Sequence, residues 1–180
     1  MSRITVIDHN NANAEQKALL DIIQNQMGMV PNFLKVFANS PTALKAFLGL
    51  QGVANDGSLS LQTRERIALT LAQQNLCEYS LSAHAASGRQ AGLTGNEMAS
   101  NREGTSEDAR AAVAVKLARS LAAHMGEVAT AELIEARVAG YTDADIVEII
   151  THVGLNVLAI TMEKASRVDI DFPEVAPSSP

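Results

Sequence analysis

The chain has 180 residues, a formal net charge of -6 and 47% hydrophobic residues, which suits one domain with a real core. Aromatics make up only 3%, and no basic stripe is present, so nucleic acid is excluded as a natural partner. A single cysteine rules out an internal disulfide. With no leader segment and no apolar run near the roughly 18 residues that span a bilayer, a cytoplasmic protein without membrane contact is expected.

Residues 1–12 read as an extended N-terminal arm anchored by Ile4, Val6 and Ile7. A helix is predicted from Ala14 to Met27, with Leu19, Leu20, Ile22 and Ile23 apolar and Gly28 at its end. Pro31 restarts the chain, and Phe33 to Phe37 form a short buried turn or helix. Ser40-Pro41 opens a helix to about Ala54, with Ser40 as cap and Pro41 at the first helical position. Ser60 to Thr63 start another, running to about Leu76. Cys77 then marks a break or the start of a helix to about Ala91, followed by a short one from Thr94 to Asn101. Ser106-Glu107-Asp108 begins a long helix to about Met125, and Thr130 to Val138 forms the next. Thr142, followed by Asp143 and Asp145, caps the last long helix, which runs to about Arg167. The tail from Pro173 is expected to be extended or loose. No strand periodicity appears, so the fold class is all-α, with seven to nine helices over residues 13–172 and a tail over 173–180.

The segment Arg64 to His84 carries the chemistry. Cys77, Ser80 and His84 are spaced by three and then four residues, which puts them on one face if a helix starts at Cys77. The thiol would then lie at a helix N-terminus, where the dipole favours thiolate. Glu65 on the preceding helix would orient and polarise His84 if the two helices pack antiparallel. The plainer reading is a small buried cysteine, a structural histidine and a solvated glutamate between Arg64 and Arg66. His9 lies in the arm, His124 near a helix end, and His152 reads as a satisfied core histidine that could reach the pocket. No second ligand pair completes a metal site with Cys77 and His84, and no phosphate or dinucleotide fingerprint appears, so no cofactor is expected.

Arg64-Glu65, Asn75, Cys77-Glu78-Tyr79 and Leu81 to His84 resemble the AhpD-like, or carboxymuconolactone decarboxylase, family, whose redox branch carries Glu followed by Cys-x-x-Cys-x-x-x-His. Gly28 to Phe33, Ser40-Pro41, Gly57 to Ser60, Ala91 to Leu93, Ala139 to Tyr141 and Ile170 to Pro173 resemble family landmarks, so the likeness covers nearly the whole chain. It implies an all-helical homo-oligomer, trimeric or hexameric, and alkylhydroperoxidase-like chemistry on a hydroperoxide or other small molecule. In that scheme Cys77 is the redox thiol, Glu65 and His84 are its proton relay, and an external thiol or dithiol is the electron donor.

Two departures stand out. Ser80 occupies the second cysteine position, so no disulfide can form within the chain. It reads as a deliberate replacement that traps or disables the site, as a natural one-thiol variant, or as loss of activity; the otherwise intact motif favours the first. Leu155-Asn156 is followed by Val157 to Lys164 where relatives carry a polar stretch, so a more apolar pocket is expected. The competing readings are a cofactor-free lactone decarboxylase or related acid–base enzyme, in which a histidine carries the proton, and a non-catalytic oligomeric scaffold.

Overall fold

The computed structural model describes residues 1–178, and among them the chain forms nine α-helices. They are α1 (Ala14–Met27), α2 (Asn32–Phe37), α3 (Pro41–Asn55), α4 (Leu61–Gln74), α5 (Glu78–Gln90), α6 (Gly95–Arg102), α7 (Ala109–Ala123), α8 (Thr130–Val138) and α9 (Asp143–Ser166). Side-chain caps explain most of the starts. Asn13, Ser40, Ser60, Thr94, Asp108 and Thr142 each accept an amide from the third residue on, satisfying donors that the helix itself leaves open. α7 begins later than the sequence suggests, because Ser106 and Glu107 are held elsewhere. The Ser106 hydroxyl and the Glu107 amide both donate to Glu97, leaving Asp108 as the cap.

α4 is the central element and packs against α5, α6, α7 and α9. Its apolar side chains Ile67, Leu69 and Leu71 are almost fully buried. α9 is the longest helix and closes the other side, touching α2, α3, α4, α5, α7 and α8. Against expectation, α9 is long and apolar enough by composition to cross a membrane. Half of its apolar window is buried inside the fold, and its Asp145, His152, Asn156 and Glu163 face inward, as the core helix of a bundle requires.

The turn from α4 to α5 sets where the motif residues of the two helices meet. Leu76 adopts a left-handed φ of 49°, and the Cys77 amide returns to the Ala72 carbonyl at 2.9 Å. A non-glycine residue there costs on the order of 1 kcal/mol, but it folds α5 back onto α4.

Both chain ends are fastened. In the arm, the Arg3 amide reaches the Ser166 carbonyl (2.6 Å), the Ile7 amide reaches Lys35 (3.1 Å), and Ile7 is buried. His9 lies against Asp21 at 2.8 Å rather than moving freely. The tail is extended but not loose. The Val175 amide donates to Ser82 Oγ at 2.9 Å, and Arg102 donates to the Ala176 carbonyl at 2.7 Å. Residues 179 and 180 of the expected tail lie outside the described residues.

An aromatic cluster links these parts. Phe33 meets Phe37, Phe47 and Tyr79 edge-on at 6.2, 5.7 and 5.7 Å, and Tyr79 meets Phe172 at 5.7 Å. Each such pair is worth about 0.5–1.5 kcal/mol beyond its buried area. The Tyr79 hydroxyl donates to Asp171 at 2.6 Å and accepts from the Phe33 amide at 3.2 Å. The Asn32 amide donates to the other Asp171 oxygen at 2.8 Å, so α2, α5 and the tail are tied at one point.

Candidate functional site

The antiparallel packing of α4 and α5 brings Glu65 and His84 together, with His84 Nδ1 and Glu65 Oε2 2.9 Å apart. Burial alone would lower the His84 pKa, but the Glu65 charge and hydrogen bond outweigh it and hold the imidazolium above its usual range. The Nδ1–H bond to Glu65 leaves Nε2 as the ring atom able to exchange a proton.

Cys77 is the cap residue of α5 and is buried. Its Sγ and the Ser80 hydroxyl both donate to one oxygen, Oε2, of Glu163, the thiol at 3.2 Å. Glu163 comes from the far end of α9, and burial raises its pKa against the opposing pull of Ser80, Cys77 and His84. The place of Cys77 at the start of α5 does not bring its thiol pKa down. Burial, followed by the Glu163 charge, pushes the Cys77 thiol up to about 11, although the Ser80 amide and hydroxyl pull it down. The helix N-terminus still pulls the thiol down, but burial and the Glu163 carboxyl beside it outweigh that pull.

A cavity of about 320 Å³ opens beside this cluster. Glu65, His84, Glu163, Arg64, His152 and Asn156 supply its polar wall, and Phe33, Phe47, Leu155 and Phe172 its apolar wall. Cys77 and Ser80 do not line it; they lie behind the Glu163 carboxyl. The four expected residues fall into two hydrogen-bonded groups, Glu65 with His84 and Cys77 with Ser80 on Glu163. The Glu65–His84 pair fronts the cavity, while Cys77 and Ser80 sit in the wall.

Sequence reasoning missed Glu163. The signal was present: His152, Asn156 and Glu163 are separated by four and seven residues and form a polar stripe on an apolar helix. Of the stretch Val157 to Lys164, Ala159 and Glu163 line the cavity, so a carboxyl joins the apolar lining on the α9 side. The reading of His152 as satisfied is corrected as well, since its Nε2 is buried without a hydrogen-bond partner. His124 caps α7, with Nδ1 donating to the Ser120 carbonyl at 3.0 Å, away from the cavity. Among the described residues no group of three or more His, Cys, Asp or Glu is placed to hold a metal ion. A second depression, of about 420 Å³ between α4, α6 and α7, has its arginines engaged: Arg102 with Gln73 and the tail, Arg119 with the Glu103 carbonyl.

Residues 41–123 match the model of the carboxymuconolactone decarboxylase family, a span that contains Glu65, Cys77, Ser80 and His84. A search of curated protein sequences gives no match. Among solved structures, a peroxidase-related protein of uncharacterized function from Silicibacter sp. TM1040 is 27% identical, over 93% of this chain and 92% of that one, with a TM-score of 0.79. A protein from Ralstonia eutropha JMP134, described as an alkylhydroperoxidase AhpD core and also uncharacterized, is 21% identical over 94% and 92%, with a TM-score of 0.83. The debrominase Bmp8, solved with 2,3,4-tribromopyrrole, is 15% identical over 95% and 92%, with a TM-score of 0.79. Residues 41–123 thus match the carboxymuconolactone decarboxylase family model, and the chain shares its helical fold with the AhpD core protein.

Proposed function

We propose that this chain is an AhpD-like enzyme that moves protons on a small substrate through the Glu65–His84 pair, without a thiol–disulfide cycle. The observation that carries this reading is the division of the site: Glu65, His84 and Glu163 line the cavity, and Cys77 and Ser80 do not. Glu65 fixes the His84 ring, and Nε2 takes a proton from the substrate or returns it. Glu163, its carboxyl held toward the neutral form by burial, serves as a second acid. Ser80 supplies a hydrogen bond where the redox branch has a thiol, and cannot form a disulfide. The solved relatives range from peroxidase-related proteins to a debrominase, so the fold carries more than one chemistry.

A second reading is a one-thiol peroxidase, favoured by the 3.2 Å contact between Cys77 Sγ and Glu163 Oε2. Glu163 would receive the thiol proton as the sulfur attacks a hydroperoxide and the O–O bond breaks, then pass it to the departing alkoxide, giving the sulfenic acid and an alcohol. One external thiol would then form a mixed disulfide and release water, and a second would restore Cys77 and leave as the oxidised donor. Two assays separate the readings. Solvent deuterium exchange beside the carbonyl of a butenolide should survive Cys77→Ala and fall roughly 10²–10⁴-fold in His84→Ala. If exchange is absent, and cumene hydroperoxide is consumed with dithiothreitol in a manner abolished by Cys77→Ala, the proton-transfer reading gives way to the second.

The same reading includes a homo-oligomer. Leu50 and Val53 on α3 and Val147, Ile150 and Leu158 on α9 are exposed apolar side chains that a second copy would cover. Sedimentation of the purified chain tests this, and a monomer at micromolar concentration counts against it.

A further inference from the structure

The cavity is built from two sources. Glu65 and His84 come from the stretch 41–123 that matches the family model, whereas the aromatic side chains Phe33 and Phe172 come from outside it. One carboxylate ties both of these to the fold. α2 starts after Pro31, which has no side chain to cap it, so its first amides need an acceptor from elsewhere. Asp171 supplies one, its Oδ2 accepting from the Asn32 amide at 2.8 Å. Its Oδ1 accepts from the Tyr79 hydroxyl at 2.6 Å, and the Tyr79 oxygen accepts in turn from the Phe33 amide at 3.2 Å. The first two residues of α2 thus hang on Asp171, directly and through one hydroxyl. Asn32 returns the grip: its Nδ2 donates to the Asp169 carbonyl at 3.1 Å, while Lys35 Nζ donates to its Oδ1 at 2.9 Å. Phe172 follows Asp171 in the chain, and the Tyr79 ring meets both Phe33 and Phe172 edge-on.

Phe172 needs this anchor. The tail has no helix to hold it after α9 ends at Ser166, and its next hydrogen bond to the bundle beyond Phe172 is the Val175 amide on Ser82 at 2.9 Å. Asp171 does not itself line the cavity, so it acts through its neighbour and not on a ligand. We infer that Asp171 is the positioning residue of the aromatic wall, and that Phe172, fixed by it, sets how large a ligand the cavity takes. At about 320 Å³ the cavity is at the small end for a ligand site, so one ring on its wall is a large share of the space. Chemistry and selection are then divided along the chain, with the proton-moving pair in the family-matched stretch and the size limit in the tail. This inference rests on the proposed function only in taking the cavity as the substrate site. It is read by the binding of inert probes, so a failure of proton transfer and a failure of size selection are seen separately.

A ladder of 4-alkylphenols, from methyl to octyl, probes the wall by binding to the whole protein. Each added methylene should tighten binding about fourfold until the alkyl chain meets Phe172, where the gain stops. Phe172→Ala should move that break outward by about three carbons, the bulk of the lost ring. Asp171→Ala should remove the break, because the ring no longer has a fixed place. Asp171→Asn, which still accepts from the Asn32 amide, should keep it. A purely structural role for Asp171 would lower Tm and leave the break where it is in the folded molecules, and that result overturns the proposal. So does a ladder with no break in the unaltered protein, or one that Phe172→Ala does not move. If Asp171→Ala does not fold, amide exchange in the unaltered protein decides. Alkylphenols longer than the break should press on the wall and speed exchange of the Asn32 and Phe33 amides about tenfold over phenol itself, and equal exchange overturns the proposal.

Discussion

Two glutamates are almost fully covered in this fold, Glu97 with 3% of its surface exposed and Glu163 with 6%, yet their pKa values shift in opposite directions. Glu97 accepts from Arg66 Nε (2.6 Å), Asn101 Nδ2 (3.0 Å), Ser106 Oγ (2.5 Å) and the Glu107 amide (2.7 Å). Burial raises its pKa, but these donors more than compensate and hold it at about 2. Glu163 has only a hydroxyl and a thiol, both on one oxygen, and burial wins. A covered surface alone therefore does not fix the direction of the shift; Glu97 has more donors, one of them charged, and Glu163 is more deeply enclosed. Glu97 ties α4, α6 and the start of α7 together. Glu163 is left with an oxygen to spare beside a cavity, which is the position of a functional acid rather than a strut.

The largest test of this contrast is truncation. Glu97→Ala leaves the Arg66 guanidinium, itself only 11% exposed, without its counter-charge. Removing one member of a buried ion pair costs about 3–5 kcal/mol, or roughly 6–20 °C in Tm for a chain of this size. Glu163→Ala strands two neutral donors beside an existing cavity, and should cost about 1–3 kcal/mol. Thermal and urea melts of the two variants check the order, and equal losses would remove the distinction between strut and acid.

The sequence made the helices legible and the contrast between the glutamates mostly not. Caps such as Asn13, Ser40 and Thr142 announce helix starts through contacts three residues long, which spacing alone reveals. The Glu65–His84 contact was also within reach, since α4 and α5 are consecutive and the short turn at Leu76 leaves them antiparallel. Glu163 lies 86 residues from Cys77, and no local rule joins them. The stripe of His152, Asn156 and Glu163 was the available clue, hidden in a helix whose mean character is apolar. The docking of the tail on Ser82, and the Tyr79–Asp171 bond, are likewise long-range and depend on packing that only the assembled fold supplies. The α7 start moved because Glu97, a tertiary partner, claimed Ser106 and Glu107.

A finer test exchanges each carboxyl for its neutral isostere. Glu163→Gln keeps an acceptor for Ser80 and Cys77, and mimics the protonated acid, so stability should change by less than about 1 kcal/mol. Glu97→Gln removes the charge that Arg66 needs, and should remain costly. The same Glu163→Gln change acts on the thiol. By the pH at which Cys77 titrates, Glu163 is ionised, and its charge is one of the causes holding the thiol up at about 11. In the variant, alkylation of Cys77 by iodoacetamide should therefore rise at a lower pH than in the unaltered protein. An unchanged profile would mean that burial alone sets the thiol, and that Glu163 does not govern it.

The smallest effect expected is in the pH dependence of folding, where the two glutamates pull in opposite directions. Glu97 has a folded pKa below its unfolded value of 4.5, so its stabilisation is present above that pH and is lost as the pH falls toward 2. Glu163 has a folded pKa above 4.5, so the folded chain binds the extra proton, and stability falls as the pH rises from 4.5 through its raised value. That slope cannot exceed about 1.4 kcal/mol per pH unit for one proton. Two histidines overlap the upper end of this range. His84, raised by Glu65, loses its contribution as the pH rises past its folded value, and His152, lowered by burial, loses its contribution as the pH falls through 6.5. His152 cancels when the unaltered protein and Glu163→Gln are compared at each pH, as does the part of the His84 shift that Glu65 supplies, while the part that Glu163 supplies declines with rising pH in the same sense. The difference between the two urea-melt series should decline with rising pH from 4.5; a flat difference would mean that Glu163 is ionised in the folded chain, and the acid role assigned to it would fail.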